Sequence, residues 1–211
     1  QTCALPILET ARCPYCGTHI NSGEFDWVLA EITQAIDYGA GIPVKSRLTP
    51  PDRGIKALSG LDAAFSVQQL EDKASNAFME GLIGNATGQL PLVKRFPTEK
   101  AFEEISRQGP KTRIAYDRIY TRAVELLRVE VDGARARAYV GIRFSYHLVD
   151  LGNPQFSPML GADPISSLNI LAMVRDYSGA QAKGSVYAGT CPHCGAPQKD
   201  NLNPLCDHCG L

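Results

Sequence analysis

Six of the seven cysteines fall in three Cys-x-x-Cys pairs: Cys13 with Cys16, Cys191 with Cys194, and Cys206 with Cys209. Four thiolates close a structural zinc site, so one pair is half of one. The last two pairs, Cys191-Pro-His-Cys194-Gly195 and Cys206-Asp-His-Cys209-Gly210, are separated by eleven residues. Each has a glycine directly after its second cysteine. Turning two sulfurs and the neighbouring N–H groups towards one ion needs a left-handed residue there, which glycine adopts without a steric cost. Residues 190–211 therefore read as a structural zinc ribbon, with His193 and His208 as outward-facing non-ligands. So short a segment cannot build a core, and metal-binding free energy of about 10–16 kcal/mol stands in for one. Neither pair follows a strand and opens a helix, as a thioredoxin-type redox motif does.

The knuckle Cys13-Pro-Tyr-Cys16-Gly17 leaves residues 8–24 as half of a second ribbon. Gln-Thr-Cys-Ala-Leu-Pro-Ile, residues 1–7, resembles one translated frame of a sequencing-library adapter. On that reading Cys3 is excluded from fold reasoning, as cloning scars and purification tags are. The upstream half-ribbon, the true N-terminus and any membrane anchor are then expected to lie outside the sequence.

Paired cysteines of this kind suit metal ligation in a reducing compartment, so a cytoplasmic location is expected. With 44% hydrophobic and 20% charged residues the chain has a globular composition, and no apolar run reaches the ~18 residues of a membrane span. The formal net charge of −1 gives no general attraction to nucleic acid or anionic lipid, so binding must rest on a local site. Lys199 is the only Lys or Arg between Cys191 and Leu211. A nucleic-acid-binding ribbon, the alternative such motifs raise, has little to hold phosphate with.

Between the cysteine motifs, residues 25–60 read as a strand or short helix over Phe25–Ile32, followed by a Gly- and Pro-rich linker from Gly39 to Gly60. Leu61 to about Ala86 shows helical spacing, with Val67, Leu70, Ala74, Ala77, Phe78 and Gly81 on one face. A second helix is expected from Thr98 to Gln108, capped by Thr98 and stopped by Gly109-Pro110. Strands are expected at Thr112–Tyr120, Ala123–Val131, Ala134–Leu148 and Leu168–Tyr177, with an Asp132-Gly133 hairpin turn. Helices first and antiparallel strands afterwards predict an α+β domain over residues 61–184.

The order of a zinc knuckle, Phe25-Asp26-Trp27-Val28-Leu29, an α+β domain ending in Val174-Arg175-Asp176-Tyr177-Ser178-Gly179, and Cys191-Pro-His-Cys194-Gly195-Ala196-Pro197 resembles bacterial zinc-ribbon proteins with a Tim forty-four-like domain. These are relatives of the mitochondrial import-motor tether, often labelled lipid-binding transport proteins. The resemblance implies helices packed on a curved, cone-like antiparallel sheet. It also implies an apolar groove for a lipid, a membrane surface or a protein partner, and a membrane-associated location through an upstream segment. Phe78 and Phe144 fall on predicted apolar faces and are the groove candidates. Arg135, Arg137 and Arg143 share strand parity and could present positive charge to anionic headgroups; Arg113, Arg118, Arg122 and Arg128 lie in neighbouring strands. Oligomeric state is not legible. Because cone folds also host enzymes, an isomerase or hydrolase is the alternative, drawing on Tyr116, Asp117, Tyr120, Tyr146 and an acid–base pair of His147 with Asp150. Alternation places His147 with Arg143 and Ser145 on the face opposite Phe144, Tyr146 and Leu148, which favours a solvated histidine and a non-catalytic module.

Overall fold

The computed structural model describes Gly23 and residues 26–34, 54–87, 94, 96–108, 114–150, 163–178, 183–185, 189–197 and 206–210. In chain order these form β1 (Val28–Gln34), α1 (Ile55–Leu61), α2 (Val67–Thr87), α3 (Glu99–Gln108), β2 (Ile114–Asp132), β3 (Arg135–Asp150) and β4 (Ile165–Asp176). The strands make one sheet in the order β1-β4-β3-β2, antiparallel throughout. The α+β class expected from the sequence is what forms. Cys13, Cys16, Phe25 and Arg113 lie outside the described residues.

Strand β3 organises the core. Every second residue from Ala136 to Phe144 is buried, and these side chains meet Leu126 of β2, Leu171 and Met173 of β4, and Leu58, Leu70, Ala74, Ala77 and Phe78 of the helices. A two-residue period puts them on one face of the sheet, and the three-and-four spacing of α2 supplies the matching apolar stripe. Phe78 meets Phe144 edge to face, with ring centroids 4.8 Å apart. Fully burying one such side chain contributes about 1.5–3 kcal/mol.

Several boundaries differ from the sequence expectation, each for a local reason. Residues 55–61 are helix α1 rather than linker, but only Leu58 of its seven residues is buried, too few anchors to create a periodic signal. Helix α2 starts at Val67, not Leu61. The Asp62 carboxylate accepts the Ala64 N–H at 3.1 Å and turns the chain. Ser66 then caps α2 by accepting the Gln69 N–H at 3.3 Å; Ser66-Val67-Gln68-Gln69 has the capping-box pattern. Where the sequence leaves a strand or a short helix open at Phe25–Ile32, Val28–Gln34 forms a strand. The two strands expected between Thr112 and Val131 are one strand, β2, whose register shifts at Asp117/Tyr120, Thr121/Ala123 and Leu126/Arg128. Bulges interrupt alternation and look like a break in sequence. The β2–β3 hairpin loop is Gly133-Ala134, one residue later than expected, with Gly133 at φ 58° and Asp132 paired to Arg135.

Helix α3 begins as expected. Thr98 Oγ1 accepts the Ala101 N–H at 3.2 Å. The residues before it shield the edge of β1: the Leu29 N–H donates to Phe96 O at 2.9 Å and the Thr98 N–H to Leu29 O at 2.8 Å. An edge strand covered in this way is a poor template for further pairing.

Gly54 joins α1 to the sheet at φ 81°, and a Cβ there would sit 2.2 Å from the Val129 carbonyl oxygen. At Gly133 a Cβ would meet open space. Gly133→Ala should therefore cost only the left-handed strain of about 1–2 kcal/mol. Gly54→Ala adds an overpacking cost of about 1–3 kcal/mol. Urea unfolding of both variants checks the ranking, with Gly54→Ala the more destabilised.

Candidate metal centre

The C-terminal knuckles fold alike. In the first, the Gly195 N–H donates to Cys191 O and the Cys191 N–H to Ala196 O, both at 2.8 Å. In the second, the Gly210 N–H donates to Cys206 O at 2.8 Å. Gly195 and Gly210 have φ values of 79° and 72°, the left-handed turn for which glycine was expected. These turns bring the four Sγ atoms of Cys191, Cys194, Cys206 and Cys209 within 4.8 Å of one another. Cys191 Sγ lies 3.7 Å from Cys209 Sγ, and Cys194 Sγ lies 3.7 Å from Cys206 Sγ. The contacts thus run between knuckles, and all four cysteines are free thiols. The cluster is able to hold a metal ion.

Burial pushes the Cys191 thiol up, against the backbone N–H groups of Cys194 and His193 aimed at it. Burial acts the same way on Cys206. There the N–H groups of His208 and Cys209, with the thiols of Cys191 and Cys194, outweigh it and lower the thiol to about 7. The two histidines thus serve the sulfurs through their main chain, and the four-cysteine cluster does not include their rings.

The first knuckle rests on the segment 183–185. Lys183 N–H donates to Pro192 O at 2.8 Å, and Thr190 N–H to Ser185 O at 3.1 Å. Ser185 Oγ donates to Asp26 Oδ2 at 2.5 Å. Asp26 is buried beside β1 and also receives the Trp27 N–H at 2.7 Å and the Lys73 ammonium. No spacing rule could have found this cluster, because its members lie 47 and 159 residues from Asp26.

The other candidates are dispersed. Phe78 and Phe144 are interior core side chains. Their aromatic contacts continue outward: Phe144 stacks on Tyr146 at 5.4 Å, and Tyr146 meets Tyr116 at 4.5 Å. Tyr116 is 37% exposed and Ile165, paired to Tyr146, is 42% exposed. Tyr120 is exposed opposite Ser145. His147 is half-buried and pairs in register with Asp117. Asp150 is the last residue of β3, three positions after His147. Arg135, Arg137 and Arg143 project from the face of β3 opposite the core, but Arg135 bonds Asp176 at 3.0 Å and Arg137 bonds Glu31 at 3.2 Å. A cleft of about 400 Å³ beside the hairpin carries Arg135, Arg137 and Arg175 with Glu130, Asp132 and Asp176, so its basic and acidic groups match one for one.

The fold and site define an α+β protein with a four-cysteine centre able to hold a metal ion. No protein-family model matches the chain, and no curated protein matches it. Among the described residues, no helix is long and apolar enough to cross a membrane.

Thiols must lose their protons before they ligate, and Cys191 is raised while Cys206 is lowered. The described cluster should hold one ion per chain near pH 8 and release it progressively only in the acid range, well below neutral, because a bound ion itself keeps its thiols deprotonated and protons must compete with it. Cys206→Ser should abolish tight binding. Metal analysis after gel filtration checks both; a tightly held ion that survives Cys206→Ser contradicts the assignment.

Proposed function

We propose that the chain is a non-catalytic binding or scaffold module of the Tim forty-four-like kind, with a structural zinc ion and a protein partner. The observation that carries this reading is the closed cysteine cluster. A tetrahedron with zinc–sulfur bonds of about 2.3 Å has edges of about 3.8 Å, close to the 3.7 Å separations of the two Sγ pairs. Four thiolates fit zinc and leave no position for a water or substrate, so the ion stabilises the ribbon and supplies no Lewis-acid step.

Binding is assigned to the end of the helix-facing side where the aromatic ladder from Phe78 through Phe144 and Tyr146 emerges at Tyr116 on β2, with Ile165 of β4 paired to Tyr146. Partly exposed aromatics continuous with a core suit an apolar segment of another protein. A protein is favoured over an anionic membrane because the arginines facing away from the core are paired with carboxylates: Arg135 with Asp176, Arg137 with Glu31, and Arg128 with Glu130. Arg143 stands six residues from Arg137, roughly 20 Å along a strand, more than twice the ~8 Å Debye length at physiological salt.

Vesicle flotation tests the choice of partner. The chain is expected to stay with the soluble fraction in the presence of cardiolipin-containing vesicles, even at low salt. Binding that is lost with salt and with combined R135S, R137S and R143S replacement would put a membrane surface in place of the protein partner. Tyr116→Ser with Ile165→Ser should weaken binding of a fluorescent apolar probe several-fold, while unfolding free energy changes by about 1 kcal/mol or less.

A further inference from the structure

Asp26 is the point where the cysteine centre meets the α+β domain. Its carboxylate takes three donors: the Trp27 N–H beside it, the ammonium of Lys73 from α2, and the hydroxyl of Ser185. Ser185 is itself held by the knuckle. Its N–H donates to Thr190 Oγ1 at 2.9 Å, and its carbonyl accepts the Thr190 N–H at 3.1 Å and the Thr190 hydroxyl at 3.2 Å. Thr190 directly precedes the ligand Cys191. On the other side of Ser185, a Cβ on Gly184 would lie 2.5 Å from Cys191 O, so this segment packs directly against the backbone of the first knuckle.

We propose that Asp26 is a positioning residue that couples metal occupancy of the four-cysteine centre to the stability of the α+β domain. The proposal rests on the reading of that cluster as a metal centre. Without an ion a segment of this size does not hold its turns. Ser185 then loses the geometry that aims its hydroxyl at Asp26. A buried carboxylate left one donor short is disfavoured, and the disadvantage falls on the domain that buries it. Linkage makes the effect reciprocal: whatever metal binding contributes to the domain, the formed domain contributes to metal affinity. Trp27, the only tryptophan of the chain, is buried at this joint, with Tyr177 at 6.4 Å and Phe65 at 6.3 Å between ring centroids. It is a built-in reporter.

The test uses the full chain, stripped of metal with a chelator and titrated with zinc against a chromogenic competitor. Trp27 emission and thermal unfolding of the domain are followed together. In the wild type, zinc should shift the emission and raise the unfolding temperature. Ser185→Ala removes one hydroxyl and should still bind zinc, with affinity lowered about tenfold. Zinc should then move neither readout. Ser185→Thr keeps a hydroxyl and should restore part of both, and Arg107→Ala, on the exposed Arg107–Glu104 pair, should behave as wild type. Bound zinc with silent emission and an unchanged unfolding temperature in the wild type overturns the coupling alone. So does a full zinc response in Ser185→Ala. A chain that binds no zinc overturns both the coupling and the metal-centre reading.

Discussion

A buried charge can persist in a fold only if hydrogen-bond donors replace the water it has lost. Asp26 meets that condition with donors from three places that are far apart in sequence: the start of β1, α2 and the segment leading to the cysteine knuckles. The arrangement ties together parts held by different physics. The α+β domain is held by apolar burial along β3 and α2, with β4 pairing on both of its edges. Among the described residues, the knuckles have no apolar core of comparable size. They are organised by N–H groups and glycine turns around four sulfurs able to hold a metal ion. A second polar joint nearby, in which Asp62 meets both Arg175 and Tyr177, holds the α1–α2 turn against the end of β4. Arg175 also lies over the Tyr177 ring at 4.4 Å.

How much of this was legible in the sequence follows from the range of each interaction. The knuckles are local, so spacing and the glycines identified the cluster and its turns. The stripe on α2 and the Thr98 cap are local too, and both formed where expected. Helix α1 was not legible, because one buried leucine in seven residues is no pattern. Nor was the continuity of β2, since three register shifts scramble the alternation that marks a strand. The Asp26 cluster was invisible for a deeper reason: it is a product of tertiary placement, and nothing about Asp26, Lys73 or Ser185 separately distinguishes them from ordinary surface residues.

Strand β4 shows a third kind of limit. Its stretch Ile170-Leu171-Ala172-Met173 is buried without alternation. Leu171 and Met173 belong to the core under the helices, while Ile170 and Ala172 join Tyr139, Ala30 and Leu127 in a smaller cluster on the other face. A strand buried on both sides reads as a continuous apolar run. Sequence can recognise such a run as a strand but cannot say which residue faces which layer. The sequence showed on the face away from the helices only arginines of shared parity, whereas that face contains an apolar patch framed by charges.

Those framing charges alternate in sign. Arg137 bonds Glu31 across to β1 and lies 5.6 Å from the Tyr139 ring, and Tyr139 donates its hydroxyl to Glu130 at 3.0 Å. Glu130 in turn bonds Arg128 at 2.8 Å. Exposed ion pairs of this kind add little to stability, typically about 0–1 kcal/mol each. Their consequence is for recognition. A guanidinium already sharing its hydrogen bonds with a carboxylate must give them up before it can hold a phosphate, and at the same time the carboxylate repels that phosphate. An anionic membrane thus gains less from this surface than a count of arginines suggests. A protein surface with its own interleaved charges can exchange pairs one for one, and electrostatic matching of that sort acts on the choice of partner more than on raw affinity.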